Sequence, residues 1–227
     1  MEEDFFGVYH HNLGSGLVHV ADHSLVRGRK IWMFGNARDG KIWIDLLADN
    51  DIDYCELQSG PFTLQSNYRM LAPGKIHLQR EVWYPVVGLG GFNAASIRLS
   101  ANIKIEQRKI KLFFNSTKKM KSLEVRLKIK QSIIARKRIS NIVPMAMKSF
   151  AFTLPSKIEG KELEITFLEE SGNEILRYQD RRSKKLNKSK RINIESHSGF
   201  SDLVYLKGHY AEEQGYPEKA LEIYTQG

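Results

Sequence analysis

The sequence predicts a mainly β protein, with two successive antiparallel β regions and a short α-helical hairpin after them. Three observations carry this expectation. Up to about residue 97, short runs rich in β-branched and aromatic residues alternate with glycine-bearing turns; from Ser96 to Tyr178 apolar residues recur at every second position; after residue 200 the spacing becomes helical. With 227 residues and 41% hydrophobic content, the chain is able to bury a core.

In the first region, "GLVHVADH", "KIWMFG", "KIWIDLL", "DYCELQSG" and "REVWYPV" read as strands, each bounded by Gly, Asp, Asn or Pro. Asp39-Gly40 is a tight-turn signal, which places Trp32 and Trp43 on one hairpin. "LAPGKIH" marks a further turn before the strand around Trp83. On a strand through residues 17–23, His19, Ala21 and His23 share one face while Val18, Val20 and Asp22 share the other.

The second region alternates plainly at Ile103/Ile105, Ile110/Leu112/Phe114, Leu123/Val125/Leu127/Ile129, Phe150/Phe152/Leu154 and Leu163/Ile165/Phe167. Glu124, Arg126 and Lys128 fall between the apolar positions, so one face is buried and the other solvated. Such strands suggest a small immunoglobulin-like antiparallel sandwich, with "EESGNEI" as a hairpin turn near its end. Residues 180–199 are polar and basic and read as a linker. Beyond them, Gly208, Ala211, Gly215, Ala220, Tyr224 and Gly227 fall where a tetratricopeptide repeat sets its packing residues, and Pro217 suits the first turn of the second helix. The expected organisation is therefore 1–97, a first β-sandwich portion; 98–179, the Ig-like sandwich; 180–199, linker; and 200–227, an incomplete repeat.

Composition narrows the function classes. The single cysteine, Cys55, forms no internal disulfide, no secretory leader pattern opens the chain, and no apolar run is long enough for a membrane helix, so the expected compartment is the cytoplasm, with no membrane contact. The net charge of +9 is uneven: residues 1–98 hold nine Lys/Arg against eleven Asp/Glu, whereas residues 99–150 hold fourteen against Glu106 and Glu124. Those basic residues alternate with core positions and no nucleic-acid motif accompanies them, so nucleic acid is not the expected partner.

Four of the seven histidines lie in "HHNLGSGLVHVADH", residues 10–23. His19 and His23 are four apart, which on a helix would suit one metal ion; on a strand they stand about 13 Å apart, too far for two ligands at ~2.1 Å from one zinc. No metal and no cofactor are expected. A sugar pocket instead needs aromatic faces and short polar side chains, which Trp32, Trp43, His19, His23, Glu56 and Gln58 supply. The competing reading makes the same residues ordinary core and edge-strand side chains.

"FFGVYHHNLGSGLVHVADHSLVRGRKIWMFGNARDGKIWIDLLADN", then "DYCELQSGPF", "LAPGK" and "VWYPVVGLGGF", resemble an uncharacterised bacterial domain family that is commonly joined to tetratricopeptide repeats. That family is similar to the galactose mutarotase-like supersandwich. The resemblance implies that residues 1–97 form part of such a supersandwich and that the partner is carbohydrate, with protein a further partner through the repeat. In mutarotase-like enzymes a glutamate and a histidine act as base and acid at the anomeric centre. The resemblance carries these roles onto Glu56 and onto His19 or His23; Trp32, Trp43, Gln58, Asp22 and His11 are the expected substrate contacts. A glycosidase would need a second carboxylate beside Glu56, from Asp22, Asp45 or Asp49. A supersandwich needs more chain than precedes Ser96, so the sequence is expected to be a fragment of a larger protein, with part of its pocket missing and strand edges unpaired. The expected function is a carbohydrate-binding or carbohydrate-processing module on a helical-repeat scaffold; the alternative is a non-catalytic protein-interaction module.

Overall fold

The computed structural model describes residues 3–33, 38–48, 54–64, 66–130, 132–154, 163–180, 200–213 and 216–225. They form thirteen strands and three helices, and the chain divides into two compact units, residues 1–183 and 184–227. In order, the first part contains β1 (Phe5–His10), β2 (Ser15–Ala21), β3 (Lys30–Met33), α1 (Arg38–Leu47), β4 (Cys55–Gln58) and β5 (Glu81–Val87). It continues with β6 (Ala94–Ala95), β7 (Leu99–Glu106), β8 (Lys109–Ser116), β9 (Met120–Ile129), β10 (Ser132–Ile142), β11 (Lys148–Thr153), β12 (Leu163–Glu169) and β13 (Glu174–Gln179). The second unit contains α2 (Phe200–Glu213) and α3 (Pro217–Tyr224). The protein is mainly β.

The alternating region folds as the sequence predicts, into two four-stranded antiparallel sheets, β10-β9-β12-β13 and β11-β8-β7-β6. The inward residues Ile103, Ile110, Leu112, Phe114, Leu123, Val125, Leu127, Ile165 and Phe167 form one core. Phe114 meets Phe167 edge-on at 5.8 Å. Burying each such side chain is worth about 1.5–3 kcal/mol. The outward basic residues of one sheet pair with carboxylates: Arg126 with Glu124, Lys128 with Glu164, Arg177 with Glu174.

A third sheet, β1-β2-β5, is also antiparallel. Its β1–β2 hairpin closes through residues 11–14, where Gly14 takes φ 61°, a conformation glycine adopts without strain, and its N–H donates to His11 O at 3.2 Å. Val18, Val20, Tyr84 and Val86 face one way and pack with Phe113, on the outer surface of β8. Polar residues that the pattern assigns to solvent are buried at this interface. The Tyr84 hydroxyl donates to Ser96 O at 2.6 Å and lies 2.7 Å from Ser100 Oγ; Asn102 Nδ2 donates to Leu89 O at 2.8 Å; Asn115 Oδ1 accepts from Val87 N at 2.7 Å. The three sheets are therefore layered, with β11-β8-β7-β6 in the middle.

Two segments differ from the sequence expectation. Trp43 is not on a strand facing Trp32: Asp39 and Gly40 lie inside α1, and β3 pairs with β4, with Trp32 opposite Glu56. The physical reason is the spacing of Ile42, Trp43, Leu46 and Leu47, whose i, i+3 and i+4 offsets line one helix face. His23 does not share a strand face with His19. β2 ends at Ala21, where Asp22 Oδ1 accepts from Ser24 N at 2.8 Å and Ser24 Oγ at 2.6 Å and turns the chain.

In the second unit α2 packs on α3 as the helical spacing predicts. Ala211 and Ala220 are buried, and Gly208 lies so close to the Tyr224 ring that a β-carbon there would sit 2.2 Å from it. Pro217 opens α3. The linker residues 181–199 and the expected packing glycines Gly215 and Gly227 lie outside the described residues.

Candidate functional site

The outer face of β1-β2-β5 alternates with the face packed on the sandwich, so it carries Phe6, Val8 and His10 from β1, Ser15, Leu17 and His19 from β2, and Glu81, Trp83, Pro85 and Val87 from β5. Across from part of this face stands β4. Between them is an open groove of about 530 Å³, within the range of small-ligand sites. Val8, Leu17, Trp83, Pro85 and Val87 line it with His10, and Tyr54, Cys55, Glu56 and Leu57 line it from β4 and the residue before. Met145, from the loop before β11, completes the lining. Trp83 is 39% exposed and presents an aromatic surface.

The polar groups of the groove are few. The Tyr54 hydroxyl donates to Glu56 Oε2 at 3.4 Å, and burial together with the Glu56 charge raises the Tyr54 phenol above its ordinary value. On the β3–β4 ribbon Trp32 stands opposite Glu56, and its indole Nε1 donates to Gln58 Oε1 at 3.0 Å. Trp32, Glu56 and Gln58 thus sit together, and Glu56 reaches the groove.

His19 is fully buried beside the groove rather than in it. Its ring lies 4.5 Å from Trp83 and 4.9 Å from Phe6, and Nε2 donates to Glu81 Oε2 at 2.8 Å. Burial lowers its pKa below the ordinary histidine value, outweighing the hydrogen bond and charge of Glu81, which act the other way. Glu81 also accepts from Ser59 Oγ and, at 2.6 Å, from Gln79 Nε2. Burial alone would raise the Glu81 carboxyl, but the hydrogen bonds from Ser59, His19 and Gln79 hold it below the usual carboxylate range. Among the described residues, His19 Nδ1 and the Nε and Nη1 of buried Arg29 have no hydrogen-bond partner; the Arg29 guanidinium lies over the Phe6 ring at 6.0 Å, a cation–π contact.

The remaining candidates lie elsewhere. His23 Nδ1 is 2.7 Å from Asp4 Oδ1 on an exposed turn, and with Asp22 these residues bring ligand atoms within 4.8 Å of one another. Asp22 is held below the ordinary carboxyl range by its Ser24 hydrogen bonds. His11 is in the β1–β2 turn with its ring 5.3 Å from Tyr9. Trp43 is on α1, 43% exposed. Of the carboxylates considered as partners for Glu56, Asp22 and Asp45 do not line the groove, and Asp49 lies outside the described residues.

The structure therefore joins His19 to Glu81, not to Glu56, and the titratable residues that line the groove with Glu56 are Tyr54, Cys55 and His10. Sequence reasoning missed Trp83, Tyr54, His10 and Glu81. For Trp83 a signal existed: it follows Glu81 by two in a strand, and both therefore share a face.

Two family models match the chain in succession. Residues 2–86 match a domain of unknown function, DUF5107, and residues 94–178 match the second domain of YphG-like proteins. The first segment spans β1 to all but the last residue of β5, and so most of the groove; the second spans the strands of the sandwich to within one residue of the end of β13. No solved structure matches the chain.

Proposed function

We propose that the protein is a carbohydrate-binding module and that the groove between β4 and the β1-β2-β5 sheet is its sugar site. The observation that carries this reading is the convergence of Trp83 with Glu56, Tyr54 and His10 on one groove of about 530 Å³. Sugars present C–H faces and hydroxyl edges; an indole covers the first, while a carboxylate, a phenol and an imidazole bond the second. The resemblance of the sequence motifs to a family similar to mutarotase-like sandwiches supports carbohydrate as the ligand class. A glycosidase would need two carboxylates, and Glu56 is the one carboxylate among the described lining residues, which supports binding over hydrolysis. On the same reading α2–α3 is the start of a tetratricopeptide repeat, supported by the Gly208–Tyr224 approach and by buried Ala211 and Ala220.

Titration of the isotopically labelled chain with a panel of neutral mono- and disaccharides tests the assignment. Shifts are expected at the Trp83 indole and at residues 54–57; a panel that moves only the α2–α3 resonances, or none, overturns it.

A second reading, docking of a protein partner, is favoured by a specific feature. Ile42, Trp43, Leu46 and Leu47 line an exposed face of α1, and Tyr68, Met70, Ile76 and Leu78 are exposed in the segment before β5. This surface does not line the groove, so groove variants leave such docking intact while Leu46→Asp weakens it.

A further inference from the structure

We propose that Glu81 is a positioning residue for the groove, a clamp that holds the β4 wall against the β1-β2-β5 floor. The inference rests on the groove reading for its functional consequence, but the clamp itself is a statement about structure.

β3 and β4 form a ribbon of two strands, with no strand pairing to the rest of the protein among the described residues. A two-stranded ribbon is marginal by itself in water. Glu56 therefore keeps its place in the groove only if something ties the ribbon down. Glu81 is placed to do this. Its side chain stands on the floor strand β5, two residues before Trp83, and accepts from three segments at once: His19 on β2, Gln79 in the approach to β5, and Ser59 directly after β4. Ser59 is three residues from Glu56 and one from Gln58.

The clamp is charged on one side and rigid on the other. Bonds to an ionised carboxylate are stronger than neutral ones. His19, fully buried between Phe6 and Trp83, fixes where the carboxylate stands. The same imidazole supports the underside of Trp83. Floor and wall of the groove are thus set by one pair, His19–Glu81, although neither residue lines it.

Hydrogen exchange on the full chain tests this, with Ser59→Ala, Ser59→Thr and Glu81→Ala beside the parent. Ser59→Ala removes the ribbon's side of the clamp and leaves His19–Glu81 intact, so it serves even if Glu81→Ala fails to fold. Exchange at residues 54–60 is expected to rise about tenfold in Ser59→Ala, the loss of one charge-assisted hydrogen bond, with β7–β9 unchanged and Ser59→Thr close to the parent. Unchanged exchange at 54–60, or a rise shared equally by β7–β9, overturns the clamp. A sugar bound by the parent is expected to bind about tenfold more weakly to Ser59→Ala and normally to Ser59→Thr. A parent that binds no sugar refutes the groove's function and leaves the exchange result to decide the clamp.

Discussion

Tyr84→Phe tests the layering of the first sheet on the sandwich with little change in shape. The substitution removes one oxygen from a buried ring. That oxygen donates to Ser96 O at 2.6 Å and accepts from Ser100 Oγ at 2.7 Å, and Ser100 is fully buried. Burial pushes the Tyr84 phenol up to about 12, against the Ser100 hydrogen bond, which is the behaviour of a hydroxyl shut away from water. Two bonds are lost and two groups on the sandwich side are left without them, while the aromatic packing on Val18, Val20 and Val86 is retained. A lost buried hydrogen bond costs about 1–3 kcal/mol, so about 2 kcal/mol is expected. For a unit of this size each kcal/mol moves the midpoint by about 2–4 °C, giving a fall of roughly 4–8 °C. Thermal unfolding by circular dichroism reads the shift, and a cycle with Ser100→Ala reads the coupling, expected above about 0.5 kcal/mol. A Tyr84→Phe protein that melts with the parent, or costs in the cycle that simply add, refutes the buried interface.

Two further outcomes follow from the same sheet. His19 is held neutral by burial, with a folded pKa below 6.5; the unfolded chain takes up the proton first, so stability is full above about pH 6.5 and falls as the pH drops below it, by at most about 1.4 kcal/mol per pH unit. Urea unfolding between pH 5 and 7 measures the slope, which His19→Asn should flatten; a parent that gains stability on acidification contradicts the buried neutral imidazole. At Gly7 a β-carbon would sit 2.1 Å from Leu17 O and 2.8 Å from the Phe92 ring, so Gly7→Ala is expected to cost about 1–3 kcal/mol and to open β1 from β2 in hydrogen exchange. Normal protection of β1 in that variant would refute the stated register.

The sandwich was legible because its strands bury one face and wet the other, so Leu123, Val125 and Leu127 alternate cleanly with Glu124, Arg126 and Lys128. β10 was not, since it is an edge strand whose side chains are mostly exposed and carry no alternation. The burial of Ser100, Asn102 and Asn115 escaped notice for a different reason. Their partners are Tyr84 and backbone groups of residues 87–90, and such satisfaction is invisible in a hydropathy pattern. In α1 the composition of "KIWIDLL" suits a strand, whereas the spacing of its apolar residues suits a helix, and spacing prevailed. At the site, Glu56 and Gln58 were legible as a pair because a two-residue period puts them on one face, whereas Trp32 joins them through the β3–β4 register and not through a hairpin with Trp43. Glu81 was not, because its bond to His19 joins residues 62 positions apart and depends on the register of β2 with β5.

The central claim is that Trp83 and Glu56 form one carbohydrate site. Calorimetric titration of the full chain with the sugar selected from the panel, alongside Trp83→Ala and Glu56→Gln, tests it most directly. Saturable binding by the parent is expected, weakened about tenfold or more in each variant while both retain the parent's β-sheet circular dichroism; each loses a single stacking or charge-assisted contact, worth about 1–3 kcal/mol. A folded parent that binds no sugar, or variants that bind as the parent does, would contradict it.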